Sequence, residues 1–294
     1  MFLLLFLFSI FVSNKFDMIQ LGKYNTLRIV KDLEFGLYLD GGEKGEILLP
    51  RKYVPSSYEI GDELTVFIYL DSEDRIIATT QHPFIQVGEF ALLEVRSVNR
   101  VGAFLDWGLA KDLLVPFREQ KMTMQQGRSY VVYAYVDHVT GRIAASAKLD
   151  KFLDNLEPSF EPNEEVDILI VKQTDLGFKV VINNLFGGMI YHNEIFSSVE
   201  VGDKMKGYIK QVREDGKIDV MLQPFGYEKI GPLSDQILAS LRGNNGFLPL
   251  SDKSSSEEIS NYFGCSKKNF KKAIGALYKQ HSIMIEDDGI KLNS

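Results

Sequence analysis

Cysteine is nearly absent from this 294-residue chain. Cys265 stands alone, which excludes an intramolecular disulfide framework and any zinc site built on two thiolates. Positive charge is not in excess either. Lys and Arg total 33 against 40 Asp and Glu, for a formal net charge of −7. A generic polycation is excluded, so any nucleic acid would have to be held by local patches or by stacking. Long apolar runs are missing. Residues 1–12 are apolar except for Ser9, but a membrane span needs roughly 20 residues. This run has the length of a signal peptide's apolar core, yet no Lys or Arg precedes it and Phe11-Val12-Ser13 is a poor cleavage site. An over-extended start, a secretion signal and a membrane anchor are the readings open to it. The first is favoured, because Met18-Ile19-Gln20-Leu21-Gly22 recurs as Phe84-Ile85-Gln86-Val87-Gly88. Residues 1–17 are therefore expected to lie outside the fold.

Catalytic signatures are lacking as well. There is no phosphate-cradling glycine loop followed by Lys-Ser/Thr and no Gly-x-Ser-x-Gly elbow. His192-Asn193-Glu194 has the His-x-Glu spacing of zinc deaminases, but the Pro-Cys-x-x-Cys half of such a site is absent. No enzyme activity, cofactor or metal site is expected. What is present is an ordinary globular composition, 45% apolar and 25% charged, with 20 Phe and 13 Tyr against one Trp. The length argues for two or more domains.

The strongest positive signal is a repeat. A shift of 66 residues carries Gly22 onto Gly88, Gly36 onto Gly102, Asp40 onto Asp106, Pro50 onto Pro116, Gly61 onto Gly127 and Asp71 onto Asp137. A further shift of 75 carries Gly102 onto Gly177, Gly127 onto Gly202, Gly141 onto Gly216 and Arg142-Ile143 onto Lys217-Ile218. Each copy reads as five short strands. In the first they are residues 26–31, 35–40, 46–49, 63–70 and 75–80, separated by breaks such as Asp40-Gly41-Gly42 and Glu59-Ile60-Gly61-Asp62. Five short strands in some 65 residues predict a small closed barrel of the OB type, since closure hides sheet edges. The fold class expected is mainly β, three tandem five-stranded barrels, with a C-terminal α+β domain. The expected boundaries are 18–82, 83–152, 158–224 and 225–294.

The order within a copy is Gly, strand, Phe-Gly-x-aromatic-x-Asp, Gly-x-Leu-Leu-Pro, Gly-Asp-x-Leu-x-Val, then Asp and Arg-Ile. It resembles the S1 domain, an OB-fold RNA-binding unit. Phe35-Gly36-Leu37-Tyr38-Leu39 and Gly61-Asp62-Glu63-Leu64-Thr65-Val66 carry the likeness in copy one, and Gly188-Met189-Ile190-Tyr191 and Gly202-Asp203-Lys204 in copy three. Period 2 independently places Leu37 and Leu39 on one face of their strand and Gly36, Tyr38 and Asp40 on the other, so Tyr38 is expected to be exposed. Ala103 and Leu105 against Phe104 repeat the pattern in copy two. An exposed aromatic on such a barrel is a base-stacking platform; packing of Tyr38 and Phe104 against a neighbouring barrel is the competing reading. The resemblance implies RNA contacts at Phe35, Tyr38, Asp71 and Arg75 in copy one, and at Phe104, Asp137 and Arg142 in copy two, where Val101 replaces the first aromatic. Copy three departs: Lys179 takes the aromatic position, Phe178 shifts to the predicted core face, Lys217 replaces the arginine, and Tyr191 stands where copies one and two have Pro50 and Pro116.

After Gln223 the pattern turns helical. Residues 234–241 predict a short helix. Ser254-Ser255-Ser256-Glu257-Glu258 supplies capping signals for a second helix through Phe263. Gly264-Cys265 makes a turn, and Ser266 caps a third helix to about Gln280. Asp288-Gly289 lies between two short β-like runs as a hairpin turn. Helix, helix, turn, helix and hairpin predict a winged helix-turn-helix. On the third helix Phe270, Ile274 and Leu277 share one face. Lys267, Lys268, Lys271, Lys272 and Lys279 are candidate phosphate contacts, with no acid between 266 and 280. Mid-helix Gly275 on the lysine side suits close approach by a partner. The hairpin tip, Glu286-Asp287-Asp288, is acidic where a DNA-binding wing is normally basic.

Three S1-type copies followed by Gly264-Cys265-Ser266-Lys267-Lys268-Asn269-Phe270-Lys271-Lys272-Ala273-Ile274-Gly275-Ala276-Leu277-Tyr278-Lys279 resemble the bacterial conserved virulence factor B family. That resemblance implies a cytoplasmic RNA-binding regulator of expression after transcription, not an enzyme and not a membrane protein. The competing classes are a DNA-binding transcription regulator and an adaptor on a ribosomal or RNA-processing complex.

Overall fold

The computed structural model describes residues 19–154, 157–195, 198–224 and 232–293. The expectation for residues 1–17 falls outside them. The chain divides into two units, Met1–Leu222 and Gln223–Ser294.

The first unit holds the three repeats. Copy one contributes β1 (Tyr24–Leu33), β2 (Gly36–Asp40), β3 (Glu46–Pro50), β4 (Glu63–Leu70) and β5 (Ile76–Thr79). They close in the order β1-β2-β3-β5-β4, the β3–β5 seam being parallel and the other pairs antiparallel. Copy two is built from β6 (Phe90–Asn99), β7 (Gly102–Leu105), β8 (Leu113–Pro116), β9 (Ser129–Val136) and β10 (Ile143–Ser146). Copy three is built from β11 (Glu165–Thr174), β12 (Gly177–Ile182), β13 (Phe186–Tyr191), β14 (Lys204–Val212) and β15 (Ile218–Met221), and it closes like copy one. The expectation of three closed barrels needs one correction. In copy two the order is β10-β9-β6-β7-β8; β8 and β10 lie side by side without a ladder between them, so this barrel is nearly closed. A cleft bordered by Leu114, Ile143 and Ala144 opens along that seam.

The repeated glycines have a steric reason. Gly36, Gly102 and Gly177 start β2, β7 and β12 at φ 150°, 157° and 149°. A Cβ there would lie 2.1, 2.2 and 1.9 Å from the carbonyl oxygens of Leu49, Val115 and Ile190. No side chain fits, so glycine marks the same strand crossing in every copy. Gly22 and Gly88 (φ 75° and 92°) donate to Ile68 and Ala134, and in copy three Asn163 (φ 71°) donates to Ile209. Asparagine is the side chain that best tolerates this region, so the third repeat keeps the geometry without the letter.

Each barrel packs its own apolar core, around Leu37, Leu39, Ile47 and Leu49 in copy one and around Ile168, Val180, Ile190 and Ile209 in copy three. The core of copy two also takes in Phe67 and Tyr69 from β4, which meet the lone Trp107 edge-on at 5.8 and 6.4 Å between ring centroids. Lys111 Nζ donates to the Asp71 carbonyl at 2.5 Å, and Arg142 pairs with Asp74 across the same junction. Copies two and three share a smaller cluster of Phe90, Val131, Leu149, Leu169 and Val181.

The second unit contains α1 (Pro232–Gly243), β16 (Phe247–Leu248), α2 (Ser256–Phe263), α3 (Lys267–Lys279), β17 (Ile283–Ile285) and β18 (Ile290–Leu292). Ser255 Oγ accepts the Glu258 N–H at 3.2 Å and Glu258 returns a bond to the Ser255 N–H at 2.7 Å, a reciprocal cap. Gly264 ends α2 in the left-handed region (φ 63°), and Ser266 Oγ accepts the Asn269 N–H at 3.3 Å to start α3. Phe270, Ile274 and Leu277 are buried against Ile237, Leu241 and Ile259. The hairpin gains a third strand that the pattern did not announce, in the order β16-β18-β17.

Candidate nucleic-acid interface

In copy one, Tyr38 sits half-exposed between buried Leu37 and Leu39. Its register neighbours are Leu48 on β3 and then Ile77 on β5, both half-exposed, so the three form a row across the sheet face. Phe35, at the turn into β2, is 73% exposed. Asp71 and Arg75 lie at the β4–β5 turn and bind each other. Asp71 Oδ1 accepts the N–H groups of Glu73 and Arg75 at 2.9 and 3.0 Å, and Oδ2 accepts Arg75 Nε–H at 2.8 Å. Burial works against the carboxylate, but these bonds outweigh it and hold its pKa below the ordinary 3.8. Asp71 is thus committed to shaping a turn. Arg75 is exposed between Asp71 and Glu73, which largely neutralise it locally.

In copy two the structure brings the named residues together. Phe104, Asp137 and Arg142 line one cleft of about 690 Å³ with Val101, Leu114, Pro116 and Arg118, within the range of about 300–1,000 Å³ usual for ligand pockets. Asp137 is buried, at 7% exposure. It accepts the N–H groups of Thr140 and Val139 at 3.1 and 2.9 Å, and Arg118 at 2.5 Å. Those backbone bonds and the Arg118 charge lower its pKa. Arg118 went unnamed in the sequence reading. The available signal was Lys52, which occupies the same offset two residues past Pro50 as Arg118 does past Pro116.

Copy three brings Lys179, Tyr191 and Lys217 into a cleft of about 440 Å³ with Met189, Arg213 and Asp219. As read from the pattern, Phe178 is buried and Lys179 exposed. Arg213 also went unnamed. It donates to Asp219 at 2.9 Å and to the Tyr191 hydroxyl at 2.5 Å, and its guanidinium carbon lies 5.5 Å from the Tyr191 ring centre.

In the second unit Lys268, Lys271, Lys272 and Lys279 project from α3 into solvent, and Lys267 is half-exposed. Lys271 lies 3.7 Å from Asp252; Lys268, Lys272 and Lys279 make no ion pair among the described residues. A Cβ on Gly275 would meet nothing within 4 Å, and Tyr278 beyond it is exposed. The wing tip carries Asp287, paired with Lys253.

Comparison with known proteins now adds to this geometry. Residues 21–81 match the S1 domain and residues 235–292 the CvfB-like winged helix domain. The Bacillus subtilis protein YitL is 29% identical over 284 residues, covering 94% of each chain. Conserved virulence factor B of Staphylococcus aureus is 27% identical over 281 residues, covering 92% of this chain and 93% of its own. The chain is a homologue of the conserved virulence factor B proteins. A multidomain protein with nucleic acid binding domains from Streptococcus pneumoniae, known as a crystal structure, is 23% identical with a TM-score of 0.41, covering 92% of this chain and 98% of its own. S1 and winged helix domains are nucleic-acid-binding folds rather than catalytic ones, and this chain joins the two kinds in one nucleic-acid-binding protein. No helix among the described residues is long and apolar enough to cross a membrane.

Proposed function

We propose that the protein is a cytoplasmic regulator that binds single-stranded or unpaired RNA and acts on gene expression after transcription. The observation that carries the reading is the placement of Tyr38 and Phe104. Both are half-exposed at the same register position of equivalent strands, and Phe104 shares its cleft with Arg118 and Arg142. Stacking on such rings tolerates any base and is worth about 1–3 kcal/mol per base. The lysines of α3 add phosphate contacts that carry no sequence information. RNA is favoured over DNA on the likeness to the S1 domain.

A DNA-binding reading has one observation behind it, the acid-free lysine face of α3. The acidic wing tip speaks against it, because Glu286, Asp287 and Asp288 would face phosphate in a standard major-groove docking. Titration with matched single-stranded RNA, single-stranded DNA and duplex DNA at two salt concentrations separates the two. Tightest binding to single-stranded RNA is expected. Tightest binding to the duplex would assign the protein to DNA.

A further inference from the structure

The third barrel differs from the first two at four places that meet in space. Tyr191 replaces Pro50 and Pro116. Arg213, which bonds across its turn to Lys217 as Asp71 does to Arg75 and Asp137 to Arg142, replaces those carboxylates. Asp219 replaces apolar Ile77 and Ala144; it pairs in register with Met189, as Ile77 pairs with Leu48. Lys179 replaces Tyr38 and Phe104 and lies in the same register row, through Met189, as Asp219. A bulge between Ile209 and Gln211 in β14 accompanies these changes; the β4–β5 and β9–β10 ladders run without one. Bulges of this kind re-aim side chains.

Three of the four, Asp219, Arg213 and Tyr191, form a hydrogen-bonded network, and Lys179 lines the same cleft. Asp219, only 3% exposed, accepts Arg213 Nε–H at 2.9 Å and the Gln211 side-chain amide at 2.8 Å. Tyr191 accepts a second N–H of Arg213. A guanidinium has five N–H groups, so three remain without a partner among the described residues. Lys179 is exposed and unpaired there too, while Lys217 is tied to Asp215 at 2.6 Å. The other acid on the cleft, Asp150, is paired with Lys121. An ion pair whose arginine is 38% exposed contributes little net stability, and Ile77 and Ala144 show that the barrel packs with an apolar residue at this position. The barrel fold therefore does not itself call for this network.

We infer that the cleft of the third barrel is a phosphate seat, in which Arg213, oriented by Asp219 and Tyr191, and Lys179 grip a phosphate of the bound strand. The first two barrels then offer stacking faces and the third an electrostatic anchor. A planar guanidinium with free, fixed N–H groups is suited to phosphate oxygens. This deepens the RNA-binding reading and rests on it.

The test uses the full chain and a uridine oligonucleotide, with and without a 5′-phosphate. Arg213→Gln is expected to weaken binding about tenfold or more and to reduce the salt slope by about 0.7, one phosphate contact on a single strand. Asp219→Asn decides whether Arg213 must be positioned. Removing a negative charge tightens nucleic-acid binding if only net charge matters; here it is expected to weaken it, with the thermal melt showing the variant folded. Sensitivity to Arg213→Gln confined to the 5′-phosphorylated oligonucleotide would support the seat and assign it to a strand end; equal sensitivity would assign it to an internal phosphodiester. Unchanged affinity in Arg213→Gln while Tyr38→Ala binds more weakly would overturn the seat and leave the RNA-binding reading standing. Tighter binding by Asp219→Asn would also overturn it. If the wild-type chain binds no oligonucleotide, that reading fails instead, and pyrophosphate titration watched at the Arg213 Nε–H resonance decides the seat alone. A saturable shift sustains it, and no shift overturns it.

Discussion

Tyr38 and Phe104 carry the stacking proposal because neither is needed by the core beneath it. Leu37, Leu39, Ala103 and Leu105, on the opposite face of the same strands, are wholly buried. Tyr38→Ala and Phe104→Ala should each weaken single-stranded RNA binding by about 1–3 kcal/mol at fixed salt, with an unchanged salt slope, since neither ring is charged. Their thermal melts should stay near wild type; an early melt, reflecting the roughly 3–5 kcal/mol lost on truncating a buried Phe, would place the rings in the core. Asp71 and Asp137 also brace the turns they belong to. Their pKa values are depressed in the folded state, so they stabilise the protein above their unfolded pKa, and that stability is lost as pH falls through the lower folded values. Asp137→Asn should therefore shrink the difference between melting temperatures at neutral pH and at about pH 3. An unchanged difference would show that Asp137 contributes nothing to acid stability. The resemblance to the S1 domain puts both aspartates on the RNA surface; their hydrogen bonds to the backbone of the β4–β5 and β9–β10 turns are a further role that no residue pattern displays. Arg118 and Arg213 were missed because a lone arginine has meaning only once its carboxylate partner is located.

At the scale of elements, α3 pairs a buried face with a lysine face, and mid-helix Gly275 opens onto solvent. Glycine there costs about 1 kcal/mol relative to alanine, and nothing in the fold needs it, since a Cβ meets no atom. Gly275→Ala should raise the melting temperature, whereas Gly275→Leu should weaken nucleic-acid binding if the strand passes over it. Equal binding by Gly275→Leu would show that no partner approaches the helix backbone there. Changing Lys268, Lys271 and Lys272 to Glu should weaken binding without sequence bias and flatten its salt dependence, as each neutralised phosphate contact supplies about 0.7 of slope. An unchanged slope would reduce these lysines to a solvated face. Helices α2 and α3 were legible almost to the residue, because Ser255, Gly264 and Ser266 are local caps whose geometry follows from their own chemistry, whereas α1 extends two residues beyond the expected 234–241 at each end. Strand β16 was not legible: two residues carry no periodicity, and only pairing with β18 makes them a strand.

At the scale of the whole chain, the proposed function would distribute binding over three copies of one barrel and a winged helix, which suits a protein whose net charge is −7. Repetition made the fold readable, since the glycines that recur at fixed offsets sit where carbonyl oxygens leave no room for a Cβ. The joints between copies were not readable. The one Trp was counted in the composition but not foreseen as the piece that seals copy one to copy two through Phe67 and Tyr69. The missing ladder between β8 and β10 likewise depends on register, which composition does not report. The central claim is that unpaired RNA runs over equivalent faces of the repeats. Photocrosslinking the full chain to a uridine oligonucleotide, then sequencing the crosslinked peptides by mass spectrometry, tests it most directly. Crosslinks should fall on the peptides containing Tyr38 and Phe104. Crosslinks absent from both, and concentrated on other barrel surfaces, would contradict the account.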